Sequence, residues 1–166
     1  MEQVKKEIFV RDFMTRKVIS VSPDSSVADA TKIITEHSFD GLPVIDNKNR
    51  LVGIITEYDL ITKTSDLSSS FLENILNDIY ESRGGKSIRS EIKSISKLTV
   101  SDIMNREPLT LREGATFEEV IDTFRKHHRV NPILITNELN EVVGIVSRYD
   151  VLRPLNILSY STKNKN

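Results

Sequence analysis

The stretch Leu51-Val-Gly-Ile-Ile-Thr-Glu-Tyr-Asp59 returns in the second half of the chain as Val142-Val-Gly-Ile-Val-Ser-Arg-Tyr-Asp150. Each copy is an apolar run that passes through a glycine, reaches a hydroxyl residue and ends three residues later at an aspartate. The apolar run predicts a buried strand, and the residues after the hydroxyl predict the first turn of a helix. Because self-similarity indicates a repeat architecture, we divide the chain into two matching halves.

The segments that precede the two copies also match each other. The first half has a helical turn at 10–14, a strand at 18–23, a capped helix from Ser26 and a strand at 41–45. The second half repeats this order at 100–104, at 108–112, from Thr116 and at 131–135. Each half therefore reads strand-helix-strand-strand-helix, a βαββα repeat of mixed α/β (α+β) class. A unit of about 50 residues is too small to bury both faces of its sheet, so we expect the repeats to pack as one pseudo-two-fold module.

The residues between the halves predict a helical insertion. A polar stretch at 67–70 is followed by apolar residues at helical spacing from Phe71 to Tyr80, which predict an amphipathic helix. Gly84 and Gly85 end it, and a second, weaker helix is predicted over 88–95. We expect repeat 1 at 8–62, the insertion at 63–98, repeat 2 at 99–158 and a disordered polar tail at 161–166.

The composition bounds the class of protein. The chain has 166 residues, of which 38% are hydrophobic, and a net charge of −1. This balance argues against a dedicated nucleic-acid binder, which usually carries a basic excess. The absence of cysteine excludes disulfides and thiolate metal sites. No apolar run reaches the roughly 18 residues of a membrane helix, and the first residues lack the apolar core of a signal peptide. We therefore expect a cytoplasmic protein with no membrane segment.

The hydroxyl residue and the aspartate of each copy are the strongest functional candidates: Thr56 with Asp59, and Ser147 with Asp150. The N-terminus of a helix offers free amide groups and a positive dipole end, which suit a phosphate group. A hydroxyl can add one hydrogen bond, and the aspartate can accept bonds from the vicinal hydroxyls of a ribose. The same spacing also fits a helix-capping box, in which the side chains serve the helix itself. Spacing alone leaves both interpretations open.

Together these motifs resemble a tandem pair of CBS domains, the regulatory module named after cystathionine β-synthase. The resemblance rests on Val-x-Asp-x-Met at 10–14, the strand at 18–23, Leu-Pro-Val-Ile-Asp at 42–46 and the stretch at 51–60, each with its counterpart in the second half. The second half departs from the pattern at two places. Asn131-Pro132-Ile133 replaces Leu-Pro-Val, and Thr136 follows Ile135 where the first half has Asp46.

The resemblance implies that the chain binds an adenosine compound, such as AMP, ADP, ATP or S-adenosylmethionine. It implies that the two hydroxyl-x-x-Asp motifs hold the phosphate and the ribose. It also implies that the adenine lies against the first strand and the segment around the proline of each repeat. The residues assigned in this way are Ile19, Ser20, Gly41, Leu42, Pro43, Leu109, Thr110, Val130, Asn131 and Pro132. In similar proteins a site commonly combines the motif of one repeat with these segments of the other. Combined in that way, Thr56 and Asp59 would face the basic residues His128 and Arg129, so we expect the phosphorylated nucleotide to bind at Thr56 and Asp59.

Basic residues of the second repeat are further candidates. His128 and Arg129 precede the strand of Pro132 and could contact a phosphate, and Arg148 directly follows the second hydroxyl residue. His127-His128-Arg129 fits equally well the solvated end of a helix, where the dipole favours cations. Adjacent histidines do not share one helix face, which argues against a metal site. Gly85-Lys86-Ser87 is similar to the end of a P-loop, but Tyr80 stands where its first glycine belongs, so we expect a turn.

These observations favour a regulatory binding module without enzymatic activity, cofactor or metal. A ligand that prefers one arrangement of the repeats would shift the population toward it, and the output would pass to an unknown regulated protein or through a homodimer. The resemblance implies a homodimer, because tandem CBS modules commonly pair through their helices, and the apolar faces of the amphipathic helices agree with this expectation. Two alternatives stay open: a scaffolding interaction protein whose motifs are only helix caps, and a nucleic-acid-binding CBS protein, which the charge disfavours.

Overall fold

The computed structural model describes residues 7–66 and 98–153, and its elements follow the predicted order. They are a 3₁₀ turn (Val10–Asp12), helices α1 (Val27–His37), α2 (Glu57–Asp66), α3 (Val100–Ile103) and α4 (Phe117–Lys126), and strands β1 (Gly41–Ile45), β2 (Leu51–Thr56), β3 (Thr110–Arg112), β4 (Ile133–Thr136) and β5 (Val142–Val146). A further helix, α5, begins at Arg148 and is described to residue 153. The mixed class with βαββα-like repeats is confirmed. The predicted helices of the insertion, the turn at Gly85-Lys86-Ser87 and the predicted disordered tail lie outside the described residues.

The helices α1 and α4 begin where the sequence predicts capping boxes. The hydroxyls of Ser26 and Thr116 each accept a hydrogen bond from the amide three residues further on, at 3.0 and 3.2 Å. Each cap satisfies an amide that has no partner within the helix. The buried residues on the inner faces of these helices are Val27, Ala30 and Ile34 of α1 and Val120 of α4.

The first strand of repeat 1 is shorter than predicted. The sequence predicts a strand over 18–23, but of these residues Val21 alone pairs with β1, in parallel orientation. The pairing stops because Pro23 has no amide hydrogen and the Ser22 amide donates instead to the Ser25 hydroxyl at 3.1 Å. In repeat 2 the corresponding strand forms as β3. The strand predicted over 131–135 begins only at Ile133, after the proline.

The described residues group into two compact units that do not follow the two halves of the sequence. The unit that we call the Asp59 unit contains residues 20–48, 52–66 and 98–107. The Asp150 unit contains residues 7–19, 49–51 and 108–153. The helical turns at 10–14 and 100–104, with which the repeats begin and which we call the leading segments, are therefore exchanged. The turn of repeat 2, α3, lies in the Asp59 unit, and the 3₁₀ turn of repeat 1 lies in the Asp150 unit.

Both units build their sheet in the same way, and the exchanged segment adds the last pairing. In the Asp59 unit β1 pairs with β2, and Asn105, just after α3, bridges Ile54 of β2 in antiparallel orientation. In the Asp150 unit β4 pairs in parallel with β3 and in antiparallel orientation with β5. Thr15, just after the 3₁₀ turn, bridges Ile145 of β5 in antiparallel orientation.

The exchanged segments also complete the two hydrophobic cores. Val100, Ile103 and Met104 pack into the core of the Asp59 unit, whereas Val10 and Met14 pack into that of the Asp150 unit. The aspartate of each Val-x-Asp-x-Met segment caps its own short helical turn. At α3, hydrogen bonds from the amide and hydroxyl of Thr99, at 2.8 and 2.9 Å, lower the pKa of Asp102 below its ordinary value. None of the described helices has the length and apolar character that crossing a membrane requires.

Candidate functional site

The first hydroxyl-x-x-Asp motif forms the junction between β2 and α2. The Oδ2 oxygen of Asp59 accepts hydrogen bonds from the Thr56 amide at 3.0 Å and from the Thr56 hydroxyl at 2.6 Å. In return, the Asp59 amide donates to the Thr56 hydroxyl oxygen at 3.3 Å. Asp59 is buried, with 7% of its surface exposed. The motif is therefore a reciprocal helix cap that uses one carboxylate oxygen of Asp59.

The second motif has the same geometry at the start of α5. The Oδ2 oxygen of Asp150 accepts hydrogen bonds from the Ser147 amide and the Ser147 hydroxyl, both at 2.8 Å. The Asp150 amide donates to the Ser147 hydroxyl oxygen at 3.4 Å. Asp150 is as deeply buried as Asp59, with 4% of its surface exposed. Both motifs thus present a buried carboxylate whose Oδ1 oxygen is not needed for the cap.

Residues outside the motifs contact the Oδ1 oxygens, and they differ between the units. Asp59 Oδ1 lies 3.3 Å from the ammonium nitrogen of Lys63, one turn further along α2. Asp150 Oδ1 accepts a hydrogen bond from the Thr15 hydroxyl at 3.3 Å and lies 3.6 Å from the guanidinium of Arg153. An ammonium therefore faces one carboxylate, whereas a neutral hydroxyl and a more distant cation face the other.

Acidic groups surround the junction of the Asp59 unit. The Glu57 amide donates to the carbonyl oxygen of Asp40 at 3.3 Å, which joins the residue before β1 to the start of α2. Partial burial raises the pKa of Glu57 above its ordinary value, its own backbone amide opposes this, and the charges of Asp40 and Asp59 raise it further. Gly41 packs closely against the junction, since a Cβ there would lie 2.9 Å from the carbonyl oxygen of Ile55.

Basic groups surround the junction of the Asp150 unit. The Arg148 amide donates to the side-chain oxygen of Asn131 at 3.3 Å, which joins the segment before β4 to the start of α5. The Arg148 guanidinium donates to the carbonyl oxygen of His128 and lies 6.0 Å from the ring centre of Phe124. His128 and Arg129 are exposed, just beyond the end of α4. Apart from the cation that faces each motif aspartate, the charged residues near the two junctions are therefore acidic in one unit and basic in the other.

The first strand of each repeat lies beside the segment that contains the proline. In the Asp59 unit the Val21 amide, next to Ser20, donates to the carbonyl oxygen of Pro43 at 3.0 Å. In the Asp150 unit the Leu134 amide donates to the carbonyl oxygen of Leu109 at 3.3 Å. Within each unit, a backbone hydrogen bond thus joins the first strand to the segment that contains the proline.

A family model for the CBS domain matches residues 10–66 and, a second time, residues 100–156. The chain belongs to the CBS domain family. Both repeats of the sequence are covered by the match, which confirms the tandem pair that the motifs indicate.

Known proteins of similar sequence and structure include a plant protein and an archaeal enzyme. This CBS pair is 29% identical over 161 residues to the chloroplastic CBS domain-containing protein CBSX2 of Arabidopsis thaliana, covering 93% of this chain and 66% of that protein. It is 28% identical over 155 residues to the inosine-5'-monophosphate dehydrogenase of Methanocaldococcus jannaschii, covering 92% of this chain but 24% of the enzyme. The crystal structure of CBSX2 in complex with AMP has a TM-score of 0.67 at 27% identity and covers 92% of this chain and 98% of that one. Since the match spans so little of the dehydrogenase, it carries no enzymatic activity to this chain.

The two units of the CBS pair bring together predicted site residues of the same repeat. The Asp59 unit contains Thr56, Asp59, Ser20, Gly41, Leu42 and Pro43. The Asp150 unit contains Ser147, Arg148, Asp150, Leu109, Thr110, His128, Arg129, Val130, Asn131 and Pro132. Ile19 is the exception, because it precedes Ser20 in the sequence yet belongs to the Asp150 unit. The site that combines residues of different repeats stays a prediction.

Three residues that contact the motif aspartates were missed by the sequence reasoning, namely Lys63, Arg153 and Thr15. Lys63 follows Asp59 by four residues, and an acid followed by a base at this spacing on a helix is a recognised ion-pair signal. Thr15 could not be found in this way, because it reaches Asp150 through the exchanged leading segment. Its position depends on the pairing between Thr15 and Ile145, which no local pattern encodes.

The Asp59 unit also has an open cavity of about 570 Å³ at the far end of β1. It is lined by Ser20, Val21, Ser22, Pro23, Asp24, Ile45, Asp46 and Asn47. Ser20 is thus shared with the predicted site, whereas Thr56 and Asp59 are not part of this cavity. Over residues 7–66 and 98–153, no group of three or more histidine, aspartate or glutamate side chains could hold a metal ion.

Proposed function

We propose that this CBS pair is a regulatory module that binds an adenosine compound and acts on a partner protein or through a homodimer. The observation that carries the proposal is the buried carboxylate at the start of α2 and of α5, each with one oxygen left over from the helix cap. The AMP complex of CBSX2, a relative of similar fold, supports an adenosine ligand. The module has no catalytic role of its own in this proposal, and the cytoplasm stays its predicted location.

The geometry suits the sugar and the phosphate of such a ligand. A carboxylate with one oxygen held by the helix can accept hydrogen bonds from the vicinal hydroxyls of a ribose through the other. The positive end of the helix dipole lies at the same place and favours a phosphate. Backbone groups of the neighbouring segments, such as those of Ser20 and Leu109, supply donors and acceptors for the adenine edge.

The charges around the junctions support a difference in ligand preference. Arg148, His128 and Arg129 lie in the Asp150 unit, and charge-assisted hydrogen bonds to phosphate are about twice as strong as neutral ones. Asp40 and Glu57 lie in the Asp59 unit and repel a phosphate, whereas the Lys63 ammonium in this unit is already engaged by the Asp59 carboxylate and the carbonyl oxygen of Ile103. We therefore assign the phosphorylated nucleotide to Ser147 and Asp150, and a less anionic adenosine compound to Thr56 and Asp59. The combination of repeats implied by the family resemblance predicts the opposite order.

A thermal-shift screen tests the proposed function directly. The full chain is heated with AMP, ADP, ATP, adenosine or S-adenosylmethionine, and with guanosine monophosphate as the control for anion effects. At about 100 times its Kd, a ligand should stabilise the folded state by roughly 2.7 kcal/mol, which raises the melting temperature. The function is wrong if no adenosine compound at millimolar concentration raises the melting temperature above that with the control. That result would favour a scaffolding protein, whose aspartates only cap helices.

Apolar helix surfaces support a homodimer. In the Asp150 unit, α4 and α5 enclose a cleft of about 340 Å³ lined by Ile121, Phe124, Arg148, Val151 and Leu152. Leu152 is 52% exposed at its edge, and Tyr58 and Ile61 of α2 are exposed on the other unit. Most oligomers of identical chains are two-fold symmetric, so a second copy would present the same apolar surface. We propose that these surfaces pair between two copies, whereas the net charge of −1 disfavours nucleic acid as a partner.

A further inference from the structure

The side chain of Lys63 joins the Asp59 carboxylate to the end of α3. Its ammonium nitrogen lies 3.3 Å from Asp59 Oδ1 and donates a hydrogen bond to the carbonyl oxygen of Ile103 at 2.7 Å. A longer contact of 3.5 Å reaches the carbonyl oxygen of Met104. All of these groups lie in the Asp59 unit. A flexible lysine side chain is thus fixed at its charged end by one carboxylate and two carbonyl groups.

The anchor of Lys63 is rigid because its carbonyl partners lie in the core. Ile103 and Met104 are buried among residues of α1, β1 and β2. Their carbonyl groups follow the last turn of α3, where the helix dipole favours a cation. The ammonium of Lys63 therefore has carbonyl partners in addition to the Asp59 carboxylate.

The Asp150 unit has no equivalent anchor among its described residues. The position that corresponds to Lys63, four residues after Asp150, is Pro154 in the sequence. Arg153 lies 3.6 Å from Asp150 Oδ1, but its side chain is 72% exposed, compared with 42% for Lys63. The Thr15 hydroxyl contacts this oxygen without carrying charge. Lys63 is therefore a feature of one site and not a general requirement of the repeat.

We propose that Lys63 is a positioning residue, which fixes the Asp59 carboxylate so that Oδ1 can accept a ribose hydroxyl group. Thr56 holds Oδ2 and Lys63 holds Oδ1, so the carboxylate plane is set from both sides before a ligand arrives. Oδ1 has two lone pairs and can accept from Lys63 and from a hydroxyl at the same time. The inference rests on the proposed function, since it concerns how one of the two adenosine sites is organised.

The experiment compares Lys63→Met with Lys32→Met in the full chain that carries Asp150→Asn, which weakens binding at Asp150 and so reduces its contribution to the signal. Lys32 is a matched control because it also forms an i,i+4 ion pair on a helix, 3.8 Å from Glu36, and touches neither motif. Calorimetry with adenosine and with AMP gives the affinities. We expect Lys63→Met to weaken both ligands by about tenfold and by the same factor, because a carboxylate that is no longer held at Oδ1 misaligns the charge-assisted hydrogen bond from the ribose hydroxyl. Lys32→Met should change neither affinity.

Further variants separate positioning from other roles. Lys63→Arg should weaken binding less than Lys63→Met, because it keeps a cation beside Asp59. If Lys63→Met does not fold, Lys63→Gln replaces it and should weaken both ligands by the same factor, although less than tenfold, because its neutral amide can still donate a hydrogen bond to Asp59. A greater loss for AMP than for adenosine would mean that Lys63 contacts the phosphate, and would overturn the proposal.

The remaining outcomes tell the two proposals apart. Unchanged affinity in Lys63→Met overturns the positioning role and leaves the proposed function intact. If the wild-type chain binds but the Asp150→Asn chain does not, Asp59 holds no ligand. That result also overturns the positioning role of Lys63 and leaves the proposed function intact. If the wild-type chain binds neither adenosine nor AMP, both the positioning role of Lys63 and the proposed function are wrong.

Discussion

Met104 covers Gly53 so closely that a Cβ on Gly53 would lie 2.8 Å from the Met104 sulfur and 2.8 Å from the carbonyl oxygen of Asn105. Met14 covers Gly144 in the same way in the Asp150 unit. The glycine of the repeated stretch and the methionine of the Val-x-Asp-x-Met segment are thus partners in space. Each pair joins the leading segment of one repeat to the central strand of the other. The glycine is needed because the exchanged segment passes directly over it.

Gly53→Ala should therefore destabilise the fold. The added methyl group meets a backbone carbonyl oxygen, which cannot move aside as a side chain can, and overpacking of this kind typically costs about 1–3 kcal/mol. Denaturant titration of the full chain measures the change as a lower midpoint. Gly114→Ala is the control, because a Cβ there has no neighbouring atom within 4 Å. A midpoint of Gly53→Ala equal to that of Gly114→Ala would contradict the close packing.

Elements that depend on neighbouring residues could be predicted from the sequence. The caps at Ser26 and Thr116 mark helix starts correctly, and the apolar run from Leu51 gives a buried strand, because these signals act over a few residues. The motif aspartates were also found in this way. Spacing left open whether they cap a helix or bind a ligand. The structure shows that both cap a helix, but each keeps a second carboxylate oxygen that the cap does not use.

The exchange of leading segments could not be predicted, because it is a pairing between distant residues. Val10 and Val100 are equivalent in sequence, and each fits the core of either repeat by hydrophobicity alone. The structure assigns Val100 to the core of the Asp59 unit and Val10 to that of the Asp150 unit. Thr15 contacts Asp150 as a consequence of this exchange. The contact could therefore not be predicted from residues that are neighbours in the sequence.

The raised pKa of Glu57 predicts a pH-dependent effect on stability. A carboxyl group whose folded-state pKa is raised contributes stability that is present below its unfolded pKa and is lost as the pH rises through the folded pKa. At about pH 7 the charge of Glu57 is therefore unfavourable, and Glu57→Gln should raise the melting temperature slightly. At about pH 3, where the ordinary pKa of 4.3 leaves glutamate protonated, the two proteins should melt alike. Thermal melts at both values check this, with Glu107→Gln as the control, since Glu107 is exposed in the same unit. If Glu57→Gln raises the melting temperature equally at both pH values, the charge of Glu57 is not the cause of the effect.

The homodimer predicts a specific sensitivity to charge on α5. Leu152→Glu places a carboxylate at the edge of the apolar cleft, where a partner would have to desolvate it, so the variant should be monomeric. Leu139→Glu is the matched control, because Leu139 is 70% exposed in the turn between β4 and β5, away from the helices. Light scattering at micromolar concentration measures the mass of each protein. If the wild-type chain is monomeric both with and without AMP, the proposed homodimer is wrong.

The assignment of the phosphorylated nucleotide is tested by neutralising each aspartate in turn. Asn keeps an oxygen that can cap the helix, so Asp150→Asn and Asp59→Asn should both fold, which circular dichroism checks. Because Arg148 and His128 belong to the same unit as Asp150, calorimetry with AMP should show that Asp150→Asn loses at least about tenfold in the tightest binding, as expected when a charge-assisted hydrogen bond is lost. Asp59→Asn should leave that binding largely intact and weaken adenosine instead. The opposite order would support the site that combines the two repeats, with the basic residues facing Asp59. Equal losses would mean that the basic residues of the second repeat do not decide where the phosphate binds.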